Sequence, residues 1–158
     1  MRFQDYAIES TEQVCNDLIR NVRAIPADKL EWKPMGDGRT SLDILQECAQ
    51  SPSWFIGILK ARARPDFKPE AFQEMMAARK TWTTVDECVR VMNENLQQLF
   101  AAVRELSDAD LDIRITLPFG GGMVRSLADM AHGQYWNANY HLGQICYIQL
   151  LLGDKDMH

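Results

Sequence analysis

The chain has 158 residues, 46% hydrophobic and 25% charged, with a formal net charge of −5. That length suits one domain with a real core, and the composition argues against disorder. The acidic balance, without any run of Lys or Arg, disfavours a dedicated nucleic-acid binder. No apolar run reaches the ~18 residues of a membrane span, and residues 1–10 carry no apolar signal core. The expectation is a cytoplasmic protein in which residues 1–158 form a single domain.

In chain order, residues from about Phe3 to Ala24 read as a first helix. Ile8, Cys15, Leu18 and Val22 mark an apolar stripe at helical spacing, and Pro26 stops it. A connector rich in Pro and Gly follows, with Leu30 and Trp32 expected to tuck it against the bundle. The second helix begins near Ser41, with Thr40 or Ser41 as N-cap, and buries Leu42, Leu45 and Ala49. Pro52 predicts a kink between Cys48 and Pro52, after which the helix resumes to about Ala61. Residues 62–83 read as a long crossover carrying one short helix, and the Arg62, Arg64, Lys68 patch as a solvated loop. The third helix opens on a Thr84/Glu87 capping box. Val85, Val89, Met92, Leu96, Leu99, Val103 and Leu106 then step 4, 3, 4, 3, 4, 3, the seam of a bundle helix. Residues 107–125 hold a β-branched alternation and three glycines, which predict a short extended hairpin over one bundle end. No Lys-Ser/Thr follows those glycines, so they are not a phosphate loop.

Ser126 with Asp129 opens the last helix, and Gly153 closes it as a left-handed C-cap. One continuous helix of about 27 residues, ~40 Å long, is expected between them. On it Asn137 and His141 are four apart and share a face, with Gln134 and Gln144 near the same stripe. His132 falls nearly opposite His141. The aromatic residues Tyr135, Trp136, Tyr140 and Tyr147 read as packing, with one or two at a pocket mouth. The four cysteines form no C-x-x-C pair, and three of them read as small apolar residues. The fold class is therefore all-α: a four-helix bundle with a long crossover between helices 2 and 3 and a short hairpin before helix 4.

Three stretches carry a family resemblance: I-P-A-D-K-L-E-W-K-P running on to S-L-D-I-L-Q-E-C-A, then L-P-F-G-G-G-M-V-R-S-L-A-D-M-A-H, and N-A-N-Y-H-L-G-Q-I. Together they resemble the DinB/YfiT-like superfamily. That resemblance implies three metal-binding histidines, one on the second helix and two on the last, holding a divalent ion, commonly nickel or zinc. In this sequence the three positions fall on Cys48, Asn137 and His141, so one histidine of three remains. Cys48 is a competent ligand as thiolate, whereas Asn137 is a weak neutral donor. Glu47 points about 100° away from Cys48, and Gln134 could add an oxygen.

Two functions follow from the resemblance. One is a divalent-metal-dependent thiol S-transferase or hydrolase, with Cys48 and His141 as candidate catalytic groups and a low-molecular-weight thiol as cosubstrate. Cys48 could also act without metal, as nucleophile with His141 as base, if the two meet. The other is a metal-free, stress-associated or small-ligand-binding bundle, with Cys48 buried and His141 hydrogen-bonded to Asn137 or a neighbouring helix. The resemblance also implies a homodimer, which the apolar faces of helices one and three permit.

Overall fold

The computed structural model describes residues 1–158 apart from Pro65, Phe67 and Phe119. Pro65, expected in the crossover, and Phe119, expected in the glycine turn, therefore lie outside the described residues. Helix α1 spans Phe3–Ala24, and its buried face holds Ile8, Cys15, Leu18 and Val22 at the predicted spacing. Two short 3₁₀ turns then carry the connector, whose Leu30 and Trp32 pack on the core.

The second bundle helix is divided at its proline into α2 (Ser41–Gln50) and α3 (Pro52–Ala61). Thr40 caps α2 by accepting from the Asp43 N–H. The crossover carries α4 (Pro69–Arg79), a helix that buries only Arg79. Helix α5 (Val85–Arg104) begins with both halves of the Thr84/Glu87 capping box in place. Its seam residues Met92, Leu96, Leu99 and Val103 are buried, while Val85 and Val89 are half-buried at the open end.

Strands β1 (Arg114–Thr116) and β2 (Val124–Ser126) form the expected antiparallel hairpin, with Ile115 opposite Arg125. Gly120, Gly121 and Gly122 have φ of +62°, +70° and +85°. Three successive left-handed residues are accessible only to glycine at low cost, which explains the G-G-G turn. Ile115, Leu117 and Leu127 bury the hairpin's inner side against the bundle end.

The last helix corrects one expectation. It is broken at His132 into α6 (Leu127–Ala131) and α7 (Gly133–Leu151), where a single helix from Ser126 was predicted. The Ser126/Asp129 capping box forms as expected, and Gly153 adopts φ +91° after α7. The break coincides with a close approach: a Cβ at Gly133 would lie 2.2 Å from the Phe55 ring. At the break, His132 accepts or donates a 3.0 Å hydrogen bond with Ser10 and stacks on Tyr135 at 4.4 Å. The bundle thus has α1, α2–α3, α5 and α6–α7 as its four columns, with α1 packed against α7 and α2–α3 against α5.

Candidate functional site

The site begins at Pro52. Proline has no N–H, so the carbonyl of Cys48, four residues earlier, loses its helical partner. Gln134 on α7 donates to that carbonyl at 3.1 Å, and Ser51 Oγ lies 3.3 Å from it. Gln134 is fully buried and used at both ends, since its Oε1 accepts from Ser51 Oγ at 2.6 Å. Asn137, one turn further along, donates from Nδ2 to Ser51 Oγ at 3.0 Å and to the Cys48 sulfur at 3.9 Å. The kink therefore ties α2 to α7 through a polar chain, and Cys48 lies at its inner end with 0% exposure.

His141 belongs to a different group of contacts. Its Nε2 lies 3.1 Å from Glu47 Oε1, and its Nδ1 lies 2.7 Å from Gln144 Oε1. Glu47 Oε2 is 2.7 Å from Arg39 and 3.6 Å from Arg79. Asp43, one turn earlier on α2, is also shared by both arginines, at 2.6 Å from Arg39 and 3.2 Å from Arg79. The hydrogen bond from His141 holds the Glu47 carboxyl down at about 2; partial burial opposes it and the Arg39 charge adds to it. Arg79 is 7% exposed, and its Nε is buried without a partner among the described residues.

Sequence reasoning brought together Cys48, Asn137 and His141. The structure joins Cys48 to Asn137 and joins His141 to Glu47. Glu47 was set aside because it points away from Cys48, and that direction leads to His141. Arg79 reaches the site from the crossover, across 32 residues of sequence from Glu47, so no local spacing could signal it.

These contacts open onto a cavity of about 960 Å³ between α3, α4, the hairpin and α6–α7. Glu47, Ser51, Arg79 and Asn137 form a polar end, and Phe55, Met75, Met76 and Met130 form apolar walls. Helix α4 is the outer wall, held by Gln50 Nε2 donating to the Met75 carbonyl at 2.6 Å. Trp136 and Tyr140 stand at the rim. That is the pocket-mouth place expected of one or two of the aromatic residues; Tyr147 is mostly exposed, which corrects its reading as a packing residue, and Tyr135 is part of the core surround.

The donor set does not suit a divalent ion. Burial pushes the Cys48 thiol well above its ordinary value, and the proximity of Cys15 and Glu47 pushes in the same direction. A ligand thiolate there would need a bound cation to offset that burial. Asn137 turns its amide N–H toward the sulfur and Ser51 rather than an oxygen toward a shared centre. Both ring nitrogens of His141 face protein oxygens, and two guanidinium groups stand behind Glu47. Among the described residues, no cluster of three or more His, Cys, Asp or Glu side chains is placed to hold a metal. The same burial leaves Cys48 a neutral thiol, a weak nucleophile, with His141 engaged elsewhere.

No helix among the described residues is long and apolar enough to cross a membrane. Similarity to solved structures agrees with the bundle. YfiT from Bacillus subtilis, described as a probable metal-dependent hydrolase with an unusual four-helix bundle topology, superposes with a TM-score of 0.74 at 17% identity, covering 96% of this chain and 89% of that one. A mycothiol-dependent maleylpyruvate isomerase superposes with a TM-score of 0.71 at 13% identity, covering 92% of this chain and 63% of the isomerase. Those identities establish the shared fold alone. No curated protein matches the sequence. The DinB superfamily model matches residues 10–145, most of the chain. The chain belongs to the DinB superfamily.

Proposed function

We propose that this protein binds a small organic molecule, with an apolar body and a polar head group, and does so without a metal ion. The observation that carries this reading is Glu47 and Arg79 at the polar end of a mostly apolar cavity, with His141 and Arg39 paired to Glu47 behind it. Concave, mostly apolar pockets with a few convergent polar groups are the usual form of small-molecule sites, at about 300–1,000 Å³. Asn137 and Glu47 would meet the head group, and the methionines of α4 would adapt to the body. The mycothiol-dependent neighbour makes a low-molecular-weight thiol one ligand class to try. The competing reading, a zinc- or nickel-dependent S-transferase or hydrolase at Cys48, Asn137 and His141, requires thiol, amide and imidazole each to leave a present partner.

Two measurements decide between them. Metal content by mass spectrometry, on protein purified without chelator, is expected to be substoichiometric for wild type and His141→Ala alike. Anilinonaphthalene sulfonate is expected to bind with saturable fluorescence, and Met76→Trp, which narrows the cavity, to weaken that signal. Near-stoichiometric zinc or nickel that disappears in His141→Ala would overturn the metal-free reading. Probe binding unchanged by Met76→Trp would overturn the pocket.

A further inference from the structure

The cavity has a second charged end. Arg125 and Asp129 line it beside the hairpin, away from the polar end formed by Glu47 and Arg79. Arg125 is the middle residue of β2 and pairs with Ile115. Residues directly opposite one another in an antiparallel pair project from the same face. Ile115 is buried against the bundle, so Arg125 stands on the inner face of the hairpin, where an apolar side chain would be expected.

The Arg125 guanidinium is also unspent. Among the described residues it forms no ion pair, and its hydrogen bond is a 3.4 Å contact from Nη1 to the carbonyl of the adjacent Val124. The other charges that line the cavity are engaged. Glu47 faces His141, Arg39 and Arg79, and Arg79 is shared between Asp43 and Glu47. Asp129 Oδ2 accepts from the Ser126 N–H at 2.8 Å, as part of the α6 cap. That bond is the main cause holding the Asp129 carboxyl below its ordinary value; slight burial opposes it, and the Arg125 and Arg114 charges add to it. Two guanidinium groups on the hairpin thus act on one carboxylate, which leaves this end of the cavity positive.

We propose that the cavity takes an amphipathic organic anion, whose acid group is held by Arg125 at the hairpin and whose apolar body lies between Phe55, Met76, Met130 and Trp136. This rests on the small-molecule reading above and adds the charge and the orientation of the ligand. The polar end repels an acid group, because Glu47 presents a carboxylate there and Arg79 is committed to Asp43 and Glu47. Among the described residues that line the cavity, Arg125 is the cation left to receive it. The planar fork of a guanidinium meets the paired oxygens of an acid group with parallel N–H donors. Asp129 and Asn137 are eight residues apart along α6–α7. At ~1.5 Å per residue, an acid beside Arg125 and a hydrogen-bonding group at Asn137 stand about 12 Å apart. The ligand body is therefore elongated.

Two probes that differ by one charge test this. Anilinonaphthalene sulfonate carries an acid group, and N-phenyl-1-naphthylamine has the same rings without it. Each is titrated by fluorescence into wild type, Arg125→Gln and Arg114→Gln. Arg125→Gln is expected to weaken the sulfonate by about 3–10-fold and to leave the neutral probe within about twofold. Arg114→Gln removes the same charge from the paired strand, from a side chain that does not line the cavity, and should shift either probe by no more than about twofold. Both arginines are exposed, so circular dichroism should not change. Decanoate should displace the neutral probe from wild type at lower concentration than decan-1-ol, and Arg125→Gln should remove that preference. Neutral-probe binding together with a sulfonate affinity that Arg125→Gln leaves unchanged, or that Arg114→Gln lowers equally, would overturn the anion site and leave the pocket standing. Failure of both probes to bind wild type would overturn the pocket itself, and this inference with it.

Discussion

Glu47→Gln tests the bracing of the site. The substitution keeps the shape of the side chain and removes the charge that His141, Arg39 and Arg79 face. A carboxyl held at about 2, against an ordinary 4.5, corresponds to about 3 kcal/mol at ~1.36 kcal/mol per pH unit. The side chain is 31% exposed, so solvent screening reduces this to about 1–2 kcal/mol. Because the folded-state pKa is depressed, the contribution is complete above pH 4.5 and is lost as pH falls toward 2. Urea unfolding of wild type and Glu47→Gln at pH 7, 5.5 and 3 is the assay. The variant should be less stable by about 1–2 kcal/mol at the two higher pH values, or roughly 2–8 °C in melting temperature. The gap should shrink at pH 3. Other carboxylates titrate in both proteins and cancel in the difference. A gap that is the same at all three pH values, or absent at pH 7, would refute the ion-pair account of Glu47.

Two further outcomes follow from the packing. Gly133→Ala should destabilise the fold by about 1–3 kcal/mol in the same urea assay, because its methyl would lie 2.2 Å from the Phe55 ring, and Phe55→Leu should recover part of that loss. A neutral Gly133→Ala would mean that the α6–α7 break is not set by this contact. Native thiol titration with a disulfide reagent should label Cys146 and leave Cys15, Cys48 and Cys88 for the unfolded chain, since all three are buried and burial pushes their thiols up. Rapid labelling of Cys48 would contradict the closed site described above.

The columns of the bundle were legible because each is set by local signals. The α5 seam, the Thr84/Glu87 box and the proline at 52 all act within one or two turns, and each appears where its spacing placed it. The break at His132 was not legible, because Leu127–Leu151 contains no proline and its glycine at 133 lies in an ordinary helical context. What distinguishes Gly133 is Phe55, a residue 78 positions earlier. The candidate site divides in the same way. That Asn137 and His141 share a helix face follows from their spacing, but which group each one meets depends on how α2 is rotated against α7. Cys48 and Glu47 are neighbours on α2, and the rotation that places Cys48 inward against Asn137 presents Glu47 to His141.

That rotation has a cause in Pro52. By leaving the Cys48 carbonyl without a helical N–H, it creates a buried acceptor that must be satisfied, and Gln134 satisfies it from α7. The Gln134–Ser51–Asn137 chain then fixes the facing of the two helices, and Glu47 meets His141. The pattern that the resemblance implies has a cation at this end of the bundle, held by histidines. Here the positive charge facing Glu47 comes from Arg39 on the connector and Arg79 on the crossover helix. Arg79 is the only residue of α4 that is buried, so its contacts to Asp43 and Glu47, with the Gln50–Met75 hydrogen bond, seat the cavity's outer wall. A charge that belongs to a covalently attached helix cannot dissociate as an ion can. The polar floor and the wall of the cavity are therefore one mechanical unit, tied together through the Arg79 ion pairs.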